Sequence, residues 1–352
     1  MRKKPQTIDV FDFFSGCGGT SCGFANAGMN IKLGLDFDHD AAETFRINFP
    51  AASFIEGDIR AVDVSALKPY VGKRERPLLF SGCAPCQPFS NQNRQRHSAD
   101  RRRNLLSEFE RFVMAWLPEY VFVENVPGMQ KVALRNGPLT GFLKSLNVAG
   151  YDIKTAVMAA SAFGVPQTRE RFVLLASRVG EITLPNPTHG DGLQRLSTVR
   201  DWIHGLQSLQ AGERSTVDPE HQAQKLNPTN LKRIQATPHG AGRESWPRRL
   251  WLNCHVDHKG HSDVYGRLHW DRPASGLTTR CISYSNGRFG HPEQHRAITL
   301  REAANLQTFP TNYKFAGSLT SKAKQVGNAV PPLMAEKFGR TVVAHASHLF
   351  RR

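Results

Sequence analysis

The sequence has no long hydrophobic run. Its 352 residues contain no stretch of about eighteen consecutive apolar residues, the length that a membrane helix needs. The first residues, MRKKPQTIDVFDFFSG, also lack the uninterrupted apolar stretch of a signal peptide. We therefore expect a folded protein of the cytosol or nucleoid, without membrane contact.

Cysteine is scarce, and repeats are absent. Six cysteines in a chain of this size, without a secretory signal, indicate reduced thiols rather than a disulfide framework. No internal repeat and no low-complexity tract occurs, which excludes a solenoid. With 39% hydrophobic residues, the chain is long enough for one large domain, or a large domain plus a small one.

Positive charge is abundant. The chain has 46 Lys and Arg against 30 Asp and Glu, a formal net charge of +16. Such an excess favours a polyanionic partner such as nucleic acid, although a soluble basic enzyme is the alternative reading of charge alone.

Short apolar segments alternate with helical patterns through the first half of the chain. Residues 104–117 have apolar side chains at helical spacing, and a further strand is expected before Asp58. Alternating strands and helices predict an α/β fold with a mostly parallel sheet covered on both faces. The other strands are predicted at 8–14, 31–36, 77–81, 120–124 and 171–176.

From about residue 181 the composition changes. Residues 181–262 are rich in Pro, Gly, His and Asn and show little periodicity, which indicates a separate loop-rich module. Helical pattern returns at 299–309 and at 331–350, where the pair of prolines suits a helix start.

A glycine-rich turn, FSGCGG, follows the first predicted strand. Glycines at a strand-to-helix turn allow close approach of a ligand, but the spacing lacks the G-x-G-x-x-G fingerprint of dinucleotide sites. The next two strands end at Asp36 and just before Asp58, acidic residues suited to ribose or base hydrogen bonds, and Phe37 could stack on adenine. A glycine turn with a solvated acidic cap is the alternative; the three groups together favour a nucleoside cofactor.

The stretch SGCAPCQPFS, residues 81–90, contains a C-x-x-C spacing after a strand. A redox pair, half of a metal site and a single nucleophile are all compatible with that spacing alone. Zinc would need a second ligand pair, for which Cys17, Cys22 or Cys254 with its neighbouring histidines at 255, 258 and 261 are weak candidates, so we expect no metal. The cations of residues 93–103 would favour the thiolate of Cys86.

Four further motifs complete the pattern. PCQPFS, ENVPG, QTRER and QVGNAVPP follow FSGCGG in that order, and together they resemble the DNA (cytosine-5)-methyltransferase family over nearly the whole chain except about 181–262. The resemblance implies the S-adenosylmethionine-dependent methyltransferase fold, a Rossmann-like mixed sheet with a smaller loop-rich target-recognition domain. It divides the chain into a catalytic and cofactor-binding domain (1–180), a target-recognition region with its scaffold (181–317) and a C-terminal segment (318–352) returning to the catalytic domain.

The resemblance also implies the cofactor, S-adenosylmethionine, with S-adenosylhomocysteine as product. Asp36 would accept the ribose hydroxyls, Phe37 would cover the adenine face, and Asp58 with Ile59 would meet the adenine edge. The full cofactor-binding set implied is Phe14, Ser15, Gly16, Cys17, Gly18, Gly19, Asp36, Phe37, Asp58, Ile59, Pro85, Leu105, Asn328 and Ala329.

The catalytic residues implied are Cys86, Glu124, Arg169 and Arg171, while Cys83 has no catalytic role. Chemistry asks for such a set, because carbon 5 of cytosine is a poor nucleophile until a thiolate adds to carbon 6. A carboxyl at N3 and an arginine at O2 would support that addition, Arg171 being our choice for O2. Arg169 and Arg171, two residues apart near a strand entrance, are expected to face the same side. No residue identifies itself as the base that removes the carbon 5 proton, and water is a plausible acceptor.

The target cytosine must leave the base stack to react. Residues 87–103 are polar and basic enough to close over it, or simply form a solvated charge run. We expect DNA contacts from Gln87, Ser90, Arg94, Arg96, Arg101, Arg102 and Arg103. In the recognition region Asn230, Arg233 and Arg243 are candidate base-edge readers, but they define no target sequence.

The predicted partner is double-stranded DNA. The short recognition region fits a stand-alone, monomeric bacterial enzyme that is cytoplasmic and nucleoid-associated. Pairing with a cognate restriction endonuclease, without stable contact, and an orphan enzyme both stay open.

Three other functions are less compatible with the sequence. The RNA-methylating branch of the family has a Cys-Phe-Thr-type signature that residues 181–262 lack. A catalytically silent DNA-binding relative would usually lack Cys86 or Glu124, and both are present. A thioredoxin-like redox protein would need neither the cofactor glycines nor the ENV strand.

Overall fold

The computed structural model describes residues 7–84, 105–128, 138–255 and 263–349. The chain divides into two compact units. The first consists of Met1–Ala159, Glu170–Pro187 and Val330–Arg352, and the second of Ala160–Arg169 and Thr188–Ala329. Both units are therefore assembled from segments that lie far apart in the sequence.

The first unit is built on one mixed β-sheet. Its strands are β1 (Asp9–Phe13), β2 (Asn30–Asp36), β3 (Ser53–Glu56), β4 (Leu78–Gly82), β5 (Tyr120–Asn125), β6 (Asp152–Ala159) and β7 (Glu170–Ser177). They form a seven-stranded sheet in the order β3-β2-β1-β4-β5-β7-β6. Among the described strands only β7 is antiparallel to its neighbours, β5 and β6. The predicted α/β fold with a mixed sheet is confirmed.

Apolar sequence accounts for most of the strands. The five numbered strand predictions agree with β1, β2, β4, β5 and β7 to within a residue or two, and β3 lies just before Asp58 as expected. The edge strand β6 was not predicted, because its sequence DIKTAVMA has no continuous apolar run and its residues are mostly half-exposed or exposed.

Helices of the first unit cover both faces of the sheet. They are α1 (Gly19–Asn26), α2 (His39–Asn48), α3 (Lys68–Val71), α4 (Leu105–Trp116) and α5 (Pro138–Val148), together with the C-terminal helix named below. On one face Phe13 of β1 packs against Phe109 and Phe112 of α4, with ring centroids 5.3 and 5.1 Å apart. The heptad-like spacing of apolar residues in 104–117 thus produces the buried stripe of α4.

Four short helices of the second unit are separated by long loops. They are α6 (Val199–Ile203), α7 (Pro228–Gln235), α8 (Leu300–Leu306) and α9 (Leu319–Asn328); the C-terminal helix of the first unit is α10 (Pro332–Leu349). In these loops, buried arginines bind backbone carbonyls that a helix or sheet would otherwise pair. Arg267 donates to the carbonyls of Thr237, Ile234 and His291, and Arg296 pairs with Glu302 at 2.7 Å.

α10 packs on the face of the sheet opposite α4. The ring of Phe122 on β5 lies 5.4 Å from Phe24 of α1 and 5.2 Å from Phe338 of α10. Among the helices that the structure describes, none is both long and apolar enough to cross a membrane.

Candidate active site

The turn after β1 contains three residues with positive φ angles, and two of them are glycines. Phe14, Gly16 and Gly18 have positive φ angles of 55°, 51° and 86°, a region that glycine enters without steric cost. The N–H of Ser15 donates to the carbonyl of Leu35 at 3.1 Å. The turn is thereby fixed against the carboxyl end of β2, and α1 begins at Gly19 directly behind it.

Asp36 connects this turn to the next strand end. Its carboxylate accepts the N–H of Gly16 at 2.8 Å on one oxygen and the N–H of Asp38 at 2.9 Å on the other. Burial raises the pKa of Asp36 above its usual value. The residue expected to bind ribose hydroxyls therefore also shapes the turn, a function that the sequence analysis did not identify.

Three neighbouring side chains differ in their surroundings. The ring of Phe37 is 67% exposed although phenylalanine is usually buried, which leaves its face open to a flat ligand. Cys17 is buried, and burial raises the pKa of its thiol. The hydroxyl oxygen of Ser15 is buried and has no hydrogen-bond partner among the described residues.

Asp58 and Ile59 follow β3 at the same edge of the sheet. The carboxylate of Asp58 accepts hydrogen bonds from the side chain of Arg60 and, at 3.0 Å, from its backbone N–H. The side-chain bonds from Arg60 lower the pKa of Asp58. Ile59 is 2% exposed and belongs to the core. Of the remaining cofactor candidates in the first unit, Leu105 is the first residue of α4 and packs on that core.

The strand that leads to the C-x-x-C motif ends at Gly82. Cys83 is described: its Sγ lies 3.6 Å from the hydroxyl oxygen of Thr20 on α1. Burial, and next the negative charge of Glu124, raise the pKa of the Cys83 thiol well above its usual value. Cys83 is therefore held as a neutral thiol, which is a poor nucleophile.

The predicted nucleophile lies outside the described residues, as do several other predicted site residues. These are Pro85, Cys86, Gln87, Ser90, Arg94, Arg96, Arg101, Arg102 and Arg103.

Glu124 and Arg171 form an ion pair at the end of β5. Glu124 is 8% exposed, and Arg171 Nε lies 2.6 Å from its Oε1. The pairing follows from strand register: Glu124 is opposite Val173 on antiparallel β7, so Arg171, two residues before Val173, points to the same face. A carboxylate on β5 and a guanidinium on β7, both with little solvent contact, are thus fixed together.

Asn125 is a residue of this site that the sequence analysis missed. Its side-chain amide donates to the carbonyl of Ala84 at 2.9 Å, and its amide oxygen accepts the N–H of Val126 at 2.8 Å. Ala84 is two residues before Cys86. The ENV motif thus contributes both an acidic group and a fixed point for the start of the segment that contains Cys86. The available sequence signal was a polar residue directly after Glu124 at the end of an apolar strand; the structure adds that Asn125 is only 3% exposed.

Arg169 belongs to the second unit and has different partners from Arg171. It is 5% exposed and donates to the carbonyls of Leu277 and Gly327, both at 3.0 Å. Asn328 and Ala329 end α9 in the same unit, where the carbonyl of Ala329 accepts from the side chain of Gln307 at 2.9 Å. Arg169 thus holds the backbone immediately before the Asn328 of QVGNAVPP.

The expectation that Arg233 reads base edges is wrong. Its guanidinium lies 5.2 Å above the ring of Trp246 and 5.5 Å above that of Tyr265, and Arg233 is only 8% exposed. Its Nη1 donates to the amide oxygen of Asn230 at 3.0 Å. These contacts make Arg233 part of a small aromatic core, and Arg243 nearby is half-buried. Arginine composition alone does not distinguish a packed cation from a free one.

Metal binding finds no support in the described part of the chain, where no group of three or more His, Cys, Asp or Glu side chains could hold an ion. Cys254 is exposed, whereas His258 and His261 lie outside the described residues.

The sheet order and the site at its carboxyl edge define the class. The fold is that of the S-adenosylmethionine-dependent methyltransferases. Residues 8–344 match the model of a family described as C-5 cytosine-specific DNA methylase. The chain therefore belongs to that family and is a DNA (cytosine-5)-methyltransferase, as its motifs predicted.

Two proteins of similar sequence are named as Type II methylases or methyltransferases. The Type II methylase M.HgiDII of Herpetosiphon aurantiacus is 37% identical over 349 residues, 97% of each chain. The Type II methyltransferase M1.HphI of Haemophilus parahaemolyticus is 32% identical over 343 residues, which cover 96% of this chain and 87% of the relative.

Among solved structures, a prophage-encoded protein of Escherichia coli described as a DNA modification methyltransferase aligns with a TM-score of 0.72. The alignment covers 96% of this chain and 98% of that one at 23% sequence identity, so the likeness shows the shared fold.

Proposed function

We propose that the enzyme transfers a methyl group from S-adenosylmethionine to carbon 5 of a cytosine rotated out of duplex DNA, through a covalent bond between Cys86 and carbon 6. The Glu124–Arg171 ion pair carries this proposal. Glu124 is on β5, the strand beside the one that leads to Cys86, and its carboxylate lies 2.6 Å from the guanidinium of Arg171 on the next strand, β7.

The residues at the carboxyl edge fit the cofactor. The exposed face of Phe37 suits the adenine ring, and the buried, unpartnered hydroxyl of Ser15 suits a polar group of the ligand. Asp36 is fixed by two backbone N–H groups and has lone pairs left for ribose hydroxyls. Bound S-adenosylmethionine would supply an electrophilic methyl group on its sulfonium.

The protein's own groups activate the cytosine. The Cys86 thiolate adds to carbon 6, while the protonated carboxyl of Glu124 donates its proton to N3 and so neutralises the negative charge that develops in the ring; Glu124 takes this proton back when the Cys86 sulfur leaves. Arg171 orients that carboxyl, and its positive charge stabilises the ring at O2. Carbon 5 then becomes nucleophilic enough to take the methyl group. Loss of the carbon 5 proton to solvent, with release of the Cys86 sulfur, completes the reaction.

We propose that Arg169 acts indirectly, because its buried bonds to the carbonyls of Leu277 and Gly327 position the segment containing Asn328 and Ala329. The polar and basic side chains from Gln87 to Arg103 would contact DNA around the extruded base. We assign target recognition to residues 181–317, most of which belong to the second unit.

Both relatives compared above are named as Type II enzymes. We therefore propose that the enzyme, as a monomer, marks one short DNA sequence against a restriction endonuclease, with which it forms no stable complex.

The test compares the two cysteines of the C-x-x-C motif, Cys83 and Cys86. The purified enzyme, Cys86→Ala and Cys83→Ala are incubated with tritiated S-adenosylmethionine and mixed-sequence duplex DNA, with transfer RNA as a parallel substrate. Label is expected at cytosine carbon 5 in DNA with the unsubstituted enzyme and with Cys83→Ala, and none with Cys86→Ala. Labelling that survives in Cys86→Ala, or that appears in RNA instead of DNA, would contradict the proposal.

A further inference from the structure

Arg111 on α4 connects two parts of the first unit that are distant in sequence. α4 is the helix that follows the segment containing Cys86. The loop between β3 and the 3-10 turn Val64–Leu67 begins with Asp58 and Ile59. The guanidinium of Arg111 reaches across to this loop.

Its hydrogen bonds are numerous and specific. Nη2 donates to the carbonyl of Ile59 at 2.8 Å and to that of Val62 at 3.0 Å, and Nη1 donates to Val62 at 3.0 Å. Nε donates to the carboxylate of Glu108, one turn earlier on α4, at 3.2 Å. The planar group is therefore oriented from its own helix and aimed at two backbone carbonyls.

Residues 57–63 form neither strand nor helix. The first part of the loop is held by the N–H of Ala61, which donates to the carbonyl of Asp58 at 2.8 Å, whereas the bond from the N–H of Val62 to the carbonyl of Ile59 is longer, at 3.3 Å. Two carbonyls bound by one guanidinium fix the path of the chain between Ile59 and Val62. A lysine at position 111 could supply charge but could not present a fork of donors to both.

We propose that Arg111 is a positioning residue for the cofactor: by holding the carbonyls of Ile59 and Val62, it fixes the turn from which Asp58 and Ile59 meet the adenine edge. The inference rests on the proposed function, which assigns that edge to these two residues. Arg111 acts through the backbone of the turn, so its removal is expected to weaken cofactor binding more than turnover.

The test uses two ligands that differ at the adenine edge. In S-inosylhomocysteine a keto oxygen replaces the exocyclic amino group of S-adenosylhomocysteine, so the hydrogen bond to Asp58 is lost. The unsubstituted enzyme is expected to prefer S-adenosylhomocysteine in calorimetric titrations. Arg111→Lys is expected to bind it about tenfold more weakly and to lose most of the preference, with kcat at saturating S-adenosylmethionine changed less than about threefold.

Trp116→Phe is the matched control. Trp116, also on α4, donates from its indole nitrogen to the carbonyl of Val64 at 2.8 Å, at the far end of the same loop. Its loss is expected to lower thermal stability while leaving the ligand preference intact. A similar loss of preference in both variants would mean general loosening of the loop and would overturn the specific role of Arg111.

The remaining outcomes separate the two proposals. A full preference in Arg111→Lys would overturn the positioning role and leave the adenine assignment standing. No preference in the unsubstituted enzyme would overturn both. If Arg111→Lys does not fold, Glu108→Ala takes its place, because it removes the carboxylate that orients the Arg111 guanidinium. A partial loss of the ligand preference in Glu108→Ala would support the positioning role. An unchanged preference would overturn it.

Discussion

Asp12 is a carboxyl group enclosed in the sheet beside the active site. It is 2% exposed, and its Oδ2 accepts from the hydroxyl of Ser21 at 2.7 Å. Ser81 on β4 is its register partner. Burial raises the pKa of Asp12 from 3.8 to about 6. The folded protein therefore holds this proton more tightly than the unfolded chain does.

Asp12→Asn should remove a pH-dependent loss of stability. Because the folded pKa lies above the unfolded value, the stability that Asp12 contributes is full below about pH 4 and is lost as the pH rises through about 6. The variant cannot ionise, so its stability relative to the unsubstituted protein should rise by about 2.5 kcal/mol between pH 4 and pH 7. Urea unfolding across that range measures the difference.

Asp63→Asn is the control of opposite sign. Hydrogen bonds from Ser65 lower the pKa of the exposed Asp63 carboxyl below 3.8, so this variant should lose relative stability as the pH rises towards about 4 and should show a constant stability difference between pH 4 and pH 7. A stability difference for Asp12→Asn that stays constant with pH would show that the buried carboxyl does not titrate in this range.

At the scale of elements, glycines set the distance between α1 and α10. A Cβ on Gly23 would lie 2.3 Å from the carbonyl oxygen of Pro332 and 2.6 Å from the Cβ of Ala335. On the other helix, a Cβ on Gly339 would lie 2.7 Å from that of Ala27. The two helices that cover the Asp12 face of the sheet can approach this closely only because each has a glycine at a point of close contact.

Gly23→Ala should therefore destabilise the first unit by about 2 kcal/mol or more, since the obstructing atoms include backbone that cannot move aside. Gly141→Ala on α5 is the matched helix substitution: its Cβ would meet no described atom within 4 Å. That variant should gain about 0.5–1 kcal/mol from helix propensity. Thermal unfolding of both variants gives the comparison, and equal stabilities would refute the packing argument.

For the whole molecule, the net charge of +16 governs the encounter with DNA. Phosphate neutralisation releases counterions, so affinity should fall steeply with salt. If about six phosphates are contacted, the dissociation constant should rise about a thousandfold between 50 and 200 mM salt. Fluorescence anisotropy with a labelled duplex measures this, with S-adenosylhomocysteine affinity as a control expected to change little. A flat salt response would mean that the charge excess does not face DNA.

Much of this enzyme was predictable from local sequence. The strands β1, β4 and β5 are apolar runs, and the polar residues that end them, in FSGCGG and ENV, marked the edge where the site lies. Edge strand β6 and the short segment Ala160–Arg169, which belongs to the second unit, had no such signal. Their positions depend on neighbours far away in the chain, which a local apolar pattern does not encode.

The sequence by itself determined the family, the alternation of strands and helices, and the identity of Cys86, Glu124 and Arg171 as reactive candidates. Only the tertiary structure decided how side chains pair: Arg171 with Glu124, Asn125 with the carbonyl of Ala84, Arg111 with the turn after Asp58, and Arg233 with an aromatic core instead of solvent. The reason is physical. Secondary structure follows from the periodicity of nearby residues, whereas the partner of a charged side chain depends on strand register and burial, which are fixed when distant segments pack.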